Sequence, residues 1–135
     1  MRFLLDVNAL IAWGWRDHPL HIRAVTWMRG IIAHPECLIC TSAIPETGFI
    51  RVSVQRSAGA ASIELSVVVL TDLVRQLGTQ HRFVPDDLSS RREFPAWCKD
   101  AKHTTDSHLL ALAQKHGLKL ATLDTGIPGA FVIPE

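Results

Sequence analysis

Short apolar runs alternate with stretches of helical period along this chain, and that alternation limits its fold more than any other feature. Phe3-Leu4-Leu5, Cys37-Leu38-Ile39-Cys40 and Leu118 to Leu123 are too short for helices. They are apolar almost throughout, as strands buried on both faces are. His81 to Val84 and Phe131 to Ile133 read as weaker strands. Between them, helices are predicted over Ala9 to Trp15, His21 to Arg29, Thr41-Ser42 to about Gln55, Ala60 to Leu77, Ser89 to Lys99 and Thr105 to His116. Gly30, Gly78 and Gly117 stand where helices stop, and Thr41-Ser42 where one starts. Two segments carry conflicting signals: Val67-Val68-Val69 favours a strand locally, and Pro95 interrupts the Ser89 to Lys99 helix. Strands alternating with helices imply an α/β fold with a mainly parallel sheet covered on both faces.

The chain has 135 residues, 47% of them apolar, and a formal net charge of +1. That suffices for one domain over residues 1–135 with its own core, and no repeat or low-complexity segment divides it. The near-zero charge neither requires nor excludes a nucleic-acid partner. No apolar stretch is long enough to span a membrane. Asp6 breaks the first apolar run too early for a signal peptide, and three cysteines fit a reducing compartment, so a cytoplasmic protein is expected.

Ligands of parallel sheets bind beyond the carboxyl ends of the strands. Four acids are predicted at such places. Asp6 follows the first strand, and Glu46 lies in the first turns of the helix after the second. Asp106 falls in the first turn of "TTDSHLLALAQKHG", and Asp124 follows "LKLATL". Singly, each has an ordinary explanation as a helix cap or turn residue. Together they could meet in one cleft, where their repulsion calls for a cation. Oxygen-only ligands suit Mg²⁺ or Mn²⁺, which acidifies bound water and clamps a phosphodiester.

Other features lead less far. "CLIC" has Cys-x-x-Cys spacing but no second ligand pair, and Cys37 and Cys40 would point to opposite faces of a strand, as buried thiols. None of the seven histidines has a Ser or Cys partner at triad spacing; His108 is close enough to Asp106 to line a cleft but suits packing better. Arg51, Arg56, Arg91 and Arg92, with Arg82 and Lys102, are candidate phosphate contacts or plain surface. Trp13, Trp15 and Trp27 could pack together or form an apolar partner surface.

In order and spacing, "LLDVNALIAW", "TSAIPETGFIRV" and "TTDSHLLALAQKHGLKLATLD" resemble the PIN-domain ribonucleases, in particular the VapC-type toxins of bacterial toxin–antitoxin pairs. The resemblance covers nearly the whole chain. It implies a PIN-like three-layer α/β/α sandwich and Mg²⁺- or Mn²⁺-dependent RNA cleavage leaving a 5′-phosphate and a 3′-hydroxyl. Asp6, Glu46, Asp106 and Asp124 match the family's acidic metal site, and Asn8 its small polar supporting position. Asp6 and Asp106 would be the main ligands, Glu46 would act directly or through water, and Asp124 would serve a second, weaker site. A cognate antitoxin and a homodimer are also implied. Two other readings compete. "LLDVN" resembles the start of haloacid-dehalogenase-type phosphatases, but Asn8 stands where their second Asp belongs. A binding protein that keeps the fold without the activity is the other.

Overall fold

The computed structural model describes residues 1–135. In chain order the elements are β1 (Arg2–Leu5), α1 (Val7–Gly14), α2 (His21–Ile32), β2 (Leu38–Ser42), α3 (Ala43–Arg56), α4 (Ile63–Leu77), β3 (His81–Val84), α5 (Lys102–Lys115), β4 (Lys119–Thr122) and β5 (Phe131–Val132). The strands form one sheet in the order β3-β2-β1-β4-β5, with every neighbouring pair parallel. All five therefore point their carboxyl ends to the same edge. β1 sits centrally, with β2 on one side and β4 on the other, so the chain changes winding direction there. Such a switch point opens a crevice at the carboxyl edge.

The first apolar run is buried on both faces, as its composition requires. Phe3 and Leu5 join Ile39 and Ala121 under α1 to α4, while Leu4 joins Cys40 and Leu120 under α5. The result is the expected three-layer α/β/α sandwich. Cys37 and Cys40 also separate to the two faces, each buried and free. Trp13, Trp15 and Trp27 share the first core without stacking on one another: Trp15 lies parallel to Phe49, and Trp27 meets Phe3 and Phe131.

One glycine sets the distance between two helices beside the crevice. A Cβ on Gly48 of α3 would come within 2.6 Å of the Val7 side chain at the start of α1. Any larger residue would push these helices apart next to Asp6.

Three local expectations are corrected. The Ser89 to Lys99 helix does not form; residues 85–101 hold neither helix nor strand. Pro95 removes an amide donor in mid-segment and disfavours the helical conformation at Phe94 before it. Helix α5 begins at Lys102 rather than Thr105, which puts Asp106 in its second turn. Helix α4 begins at Ile63, where the Ser62 hydroxyl accepts the Leu65 amide and so caps it. The valines of α4 are helical, because its apolar period outweighs their local strand preference.

Candidate active site

Asp6 closes β1 and opens α1. Its amide pairs with the Ala121 carbonyl across the sheet, while Oδ1 accepts from the Val7 amide at 2.7 Å as an N-cap. The second oxygen, Oδ2, accepts from the Thr122 hydroxyl at 2.8 Å. Thr122 in turn accepts from Asn8 Nδ2 at 3.1 Å and from the Asp124 amide at 3.0 Å. Its one proton goes to Asp6, because the alternative acceptor, Asn8 Oδ1, lies farther away at 3.3 Å. Asn8 Oδ1 is held instead by the Leu123 amide at 3.0 Å. A relay thus runs from Asn8 through Thr122 to Asp6 and ties α1 to the end of β4. Both polar atoms of Asn8 are used internally, and its carboxamide has no ionisable proton to give as the general acid of a phosphatase.

The carboxylates crowd together here. Asp6 is 5% exposed. Burial pushes its carboxyl above the usual carboxylate range, against the pull of the Thr122 and Val7 hydrogen bonds, and the Asp124 charge adds to the rise. Asp106, reaching over from α5, is likewise raised by burial and then by the negative charges of Asp6 and Asp124. Asp124 also makes an ordinary turn, Oδ1 accepting from the Gly126 amide at 2.7 Å. So Asp6, Asp106 and Asp124 form one electrostatically coupled trio at the β1–β4 switch.

Glu46 does not join the trio. Although α3 brings it to the same edge of the sheet, its Oε2 accepts from the Thr41 hydroxyl at 2.7 Å, and it lines a groove with α4. Thr41 also meets His81 Nε2 at 2.8 Å. Since the Thr41 proton is committed to Glu46, His81 must be the donor of that contact. Burial lowers the His81 pKa and favours the neutral ring.

The cleft that holds Asp6, Asn8 and Asp106 is also lined by Arg51, Arg56, Lys102 and His18. Arg51 bonds Gln55, and Arg56 pairs with Asp17 at 3.0 Å. Arg82 and Arg91 do not line it, and Arg92 lines a different cavity. His108 turns away: it is buried, with Nε2 2.8 Å from both oxygens of Asp86.

The donor set at the switch is oxygen-only, and the like charges of the trio favour a cation. No three His, Cys, Asp or Glu side chains close into a metal cage. An open pair or trio of carboxylates fits Mg²⁺, which keeps several waters and takes few protein ligands. Sequence reasoning missed Thr122, the hydroxyl at the centre of the relay. Its place at the end of the Leu118 to Leu123 run, two residues before Asp124, was the available signal.

The PIN domain family model matches residues 3–130. Ribonuclease VapC38 of Mycobacterium tuberculosis is 32% identical over 124 residues, covering 92% of this chain and 86% of that protein. Ribonuclease VapC44 of the same species is 36% identical over 140 residues, covering 96% and 94%. The crystal structure of Mycobacterium tuberculosis VapC20, described as a Sarcin-Ricin loop cleaving toxin, superposes with a TM-score of 0.62. It is 14% identical and covers 98% of each chain, a likeness of fold.

Proposed function

This chain belongs to the PIN-domain family, and we propose that it is a VapC-type endoribonuclease, the toxin of a toxin–antitoxin pair. The observation that carries this reading is the coupled trio of Asp6, Asp106 and Asp124 at the switch point, with cationic side chains along the same cleft. Mg²⁺, or Mn²⁺ in its place, would be held by Asp6 and Asp106, with Asp124 beside them. When bound, the cation supplies Lewis acidity and neutralises charge on the scissile phosphodiester.

The chain's own residues position the rest. Thr122 fixes one oxygen of Asp6, and Asn8 fixes Thr122. Arg51, Arg56 and Lys102 contact RNA phosphates along the cleft, Arg56 exchanging its Asp17 partner for them. Glu46 serves from the neighbouring groove, oriented by Thr41. No protein nucleophile is required, and the products carry a 5′-phosphate and a 3′-hydroxyl. The reading takes residues 1–135 as one PIN-like domain acting in the cytoplasm, neutralised by a cognate antitoxin and paired with a second copy. The exposed Ile63, Val67 and Val68 of α4 offer apolar surface for such contacts. No helix is long and apolar enough to cross a membrane.

Purified protein with Mg²⁺ is expected to cut RNA and to stop on chelation. Full cleavage by Asp6→Asn would contradict the site.

A further inference from the structure

One residue of the aspartate cleft carries a donor that the fold does not use. His18 lies in the turn between α1 and α2, half-buried, and lines the same cleft as Asp6, Asp106, Arg51 and Arg56. Its Nδ1 lies 3.0 Å from the Leu20 amide. An amide N–H only donates, so Nδ1 accepts and carries no proton. The ring is therefore neutral, with its one proton on Nε2. Nε2 makes no hydrogen bond within the fold, and it is not sealed from solvent as the unpaired Arg92 and Ser107 atoms are.

The surroundings hold the ring in this form. Burial lowers its pKa first and the Arg56 charge next; Asp17 pulls the other way, and His21 adds to the lowering. Protonation would also place a hydrogen on Nδ1, directly against the Leu20 amide. His21 itself donates from Nδ1 to the Ala12 carbonyl at 2.7 Å and lines a different groove.

The helices say how far this donor stands from the aspartates. α1 and α3 leave the carboxyl edge side by side, with Gly48 of α3 against Val7. Arg56 ends α3 eight residues beyond Gly48, about 12 Å along the helix. It pairs there with Asp17, the residue before His18. The Nε2 donor thus shares the far end of the cleft with a guanidinium, and Arg51 lies between that end and the trio. Cationic groups beside a neutral donor suit phosphate oxygens. No Phe or Trp lines the cleft, so no such ring is there for a base to stack on.

We propose that His18 donates from Nε2 to a phosphate oxygen of the RNA strand away from the scissile bond, and so helps to set how the strand lies along the cleft. RNA as the ligand rests on the ribonuclease reading; the contact rests on the fixed tautomer and its place in the cleft.

The test measures binding of a fluorescein-labelled uridine dodecamer by anisotropy, with chelator present and over a series of salt concentrations. Cleavage of RNA with Mg²⁺ is followed in parallel. His18→Asn keeps an acceptor for the Leu20 amide, since Asn bonds the backbone two residues on, but removes the Nε2 donor. Its affinity is expected to fall about three- to tenfold, the worth of one neutral hydrogen bond. The slope of log affinity against log salt stays that of the parent, because no charge is lost, whereas Arg56→Gln flattens it by about 0.7. His18→Gln, whose amide reaches the position of Nε2, recovers most of the affinity.

Parent-like affinity in His18→Asn, with native circular dichroism, overturns the proposal. So does a flattened salt slope in His18→Asn, because the ring would then bind as a cation, and so does weaker binding by His18→Gln than by His18→Asn. A parent that cleaves RNA while His18→Asn binds it equally well sinks this proposal alone. The expected loss of binding in His18→Asn, from a parent that binds RNA but never cuts it, sinks the ribonuclease reading alone.

Discussion

The two halves of the sheet's carboxyl edge treat their acids differently. At β1 and β4, on either side of the switch point, the Asp124 charge raises the proton affinity of Asp6, and the charges of Asp6 and Asp124 raise that of Asp106. At β2 and β3, Glu46 occupies a comparable place after its strand but is tied to Thr41 and, through it, to His81. Both halves use a strand-end threonine as the hydroxyl donor. Thr122 holds an aspartate that is already crowded by other carboxylates, whereas Thr41 holds a glutamate that has none beside it. Topology alone thus brings acids to an edge; only where the winding reverses do three of them crowd together.

This contrast can be broken by substitution, beginning with the largest effect. Asp106→Asn removes a ligand and a charge from the crowded half. The loss of several kcal/mol of transition-state stabilisation expected of a metal site corresponds to about a thousandfold or more in RNA cleavage rate. Thr122→Val keeps shape but frees Asp6 Oδ2, and the loss should be about ten- to a hundredfold, as for residues that orient metal ligands. Part of that loss should return at high Mg²⁺, which a gel-based cleavage titration reads directly. Glu46→Gln in the other half should cost about tenfold, toward the low end of that same range. If Glu46→Gln is as damaging as Asp106→Asn, Glu46 leaves Thr41 and joins the trio in the working enzyme, and the contrast fails.

The smallest expected effect concerns stability. Asp106 has a raised pKa, so the folded state holds its proton more tightly than the unfolded chain does. Ionising it therefore costs stability as pH climbs above the ordinary value of 3.8, and the cost is absent below that value. Metal-free Asp106→Asn should melt slightly higher than the parent protein at pH 7 and no higher at pH 3. Added Mg²⁺ should raise the melting temperature of the parent and leave the variant nearly unmoved. Equal melting of the two proteins at pH 7 without metal would argue against crowded charges.

Much of this arrangement was legible in the sequence. Runs such as Phe3-Leu4-Leu5 must be buried on both faces, and that requirement forces the parallel sheet and delivers Asp6 to its edge. The irregular 85–101 segment was less legible, because Phe94, Trp97 and Cys98 have helical spacing while Pro95 between them opposes a helix. Thr122 escaped notice because threonine is an ordinary strand residue, and its role appears only when Asn8 and Asp6 arrive from a distant part of the chain. The orientation of Glu46 was equally hidden. Spacing puts it near the edge, but its direction is chosen by Thr41, which is itself fixed by His81 forty residues on. Arg51 and Arg56 line the cleft, whereas Arg91 and Arg92 lie on the irregular 85–101 segment and do not line it.

We propose above all that the switch-point aspartates hold the divalent cation. This is tested most directly by anomalous diffraction from crystals soaked in Mn²⁺. A manganese peak coordinated by Asp6 and Asp106, near Asp124, is expected, with Glu46 still hydrogen-bonded to Thr41. A peak in the Glu46 groove, or none at the aspartates at saturating Mn²⁺, would contradict it.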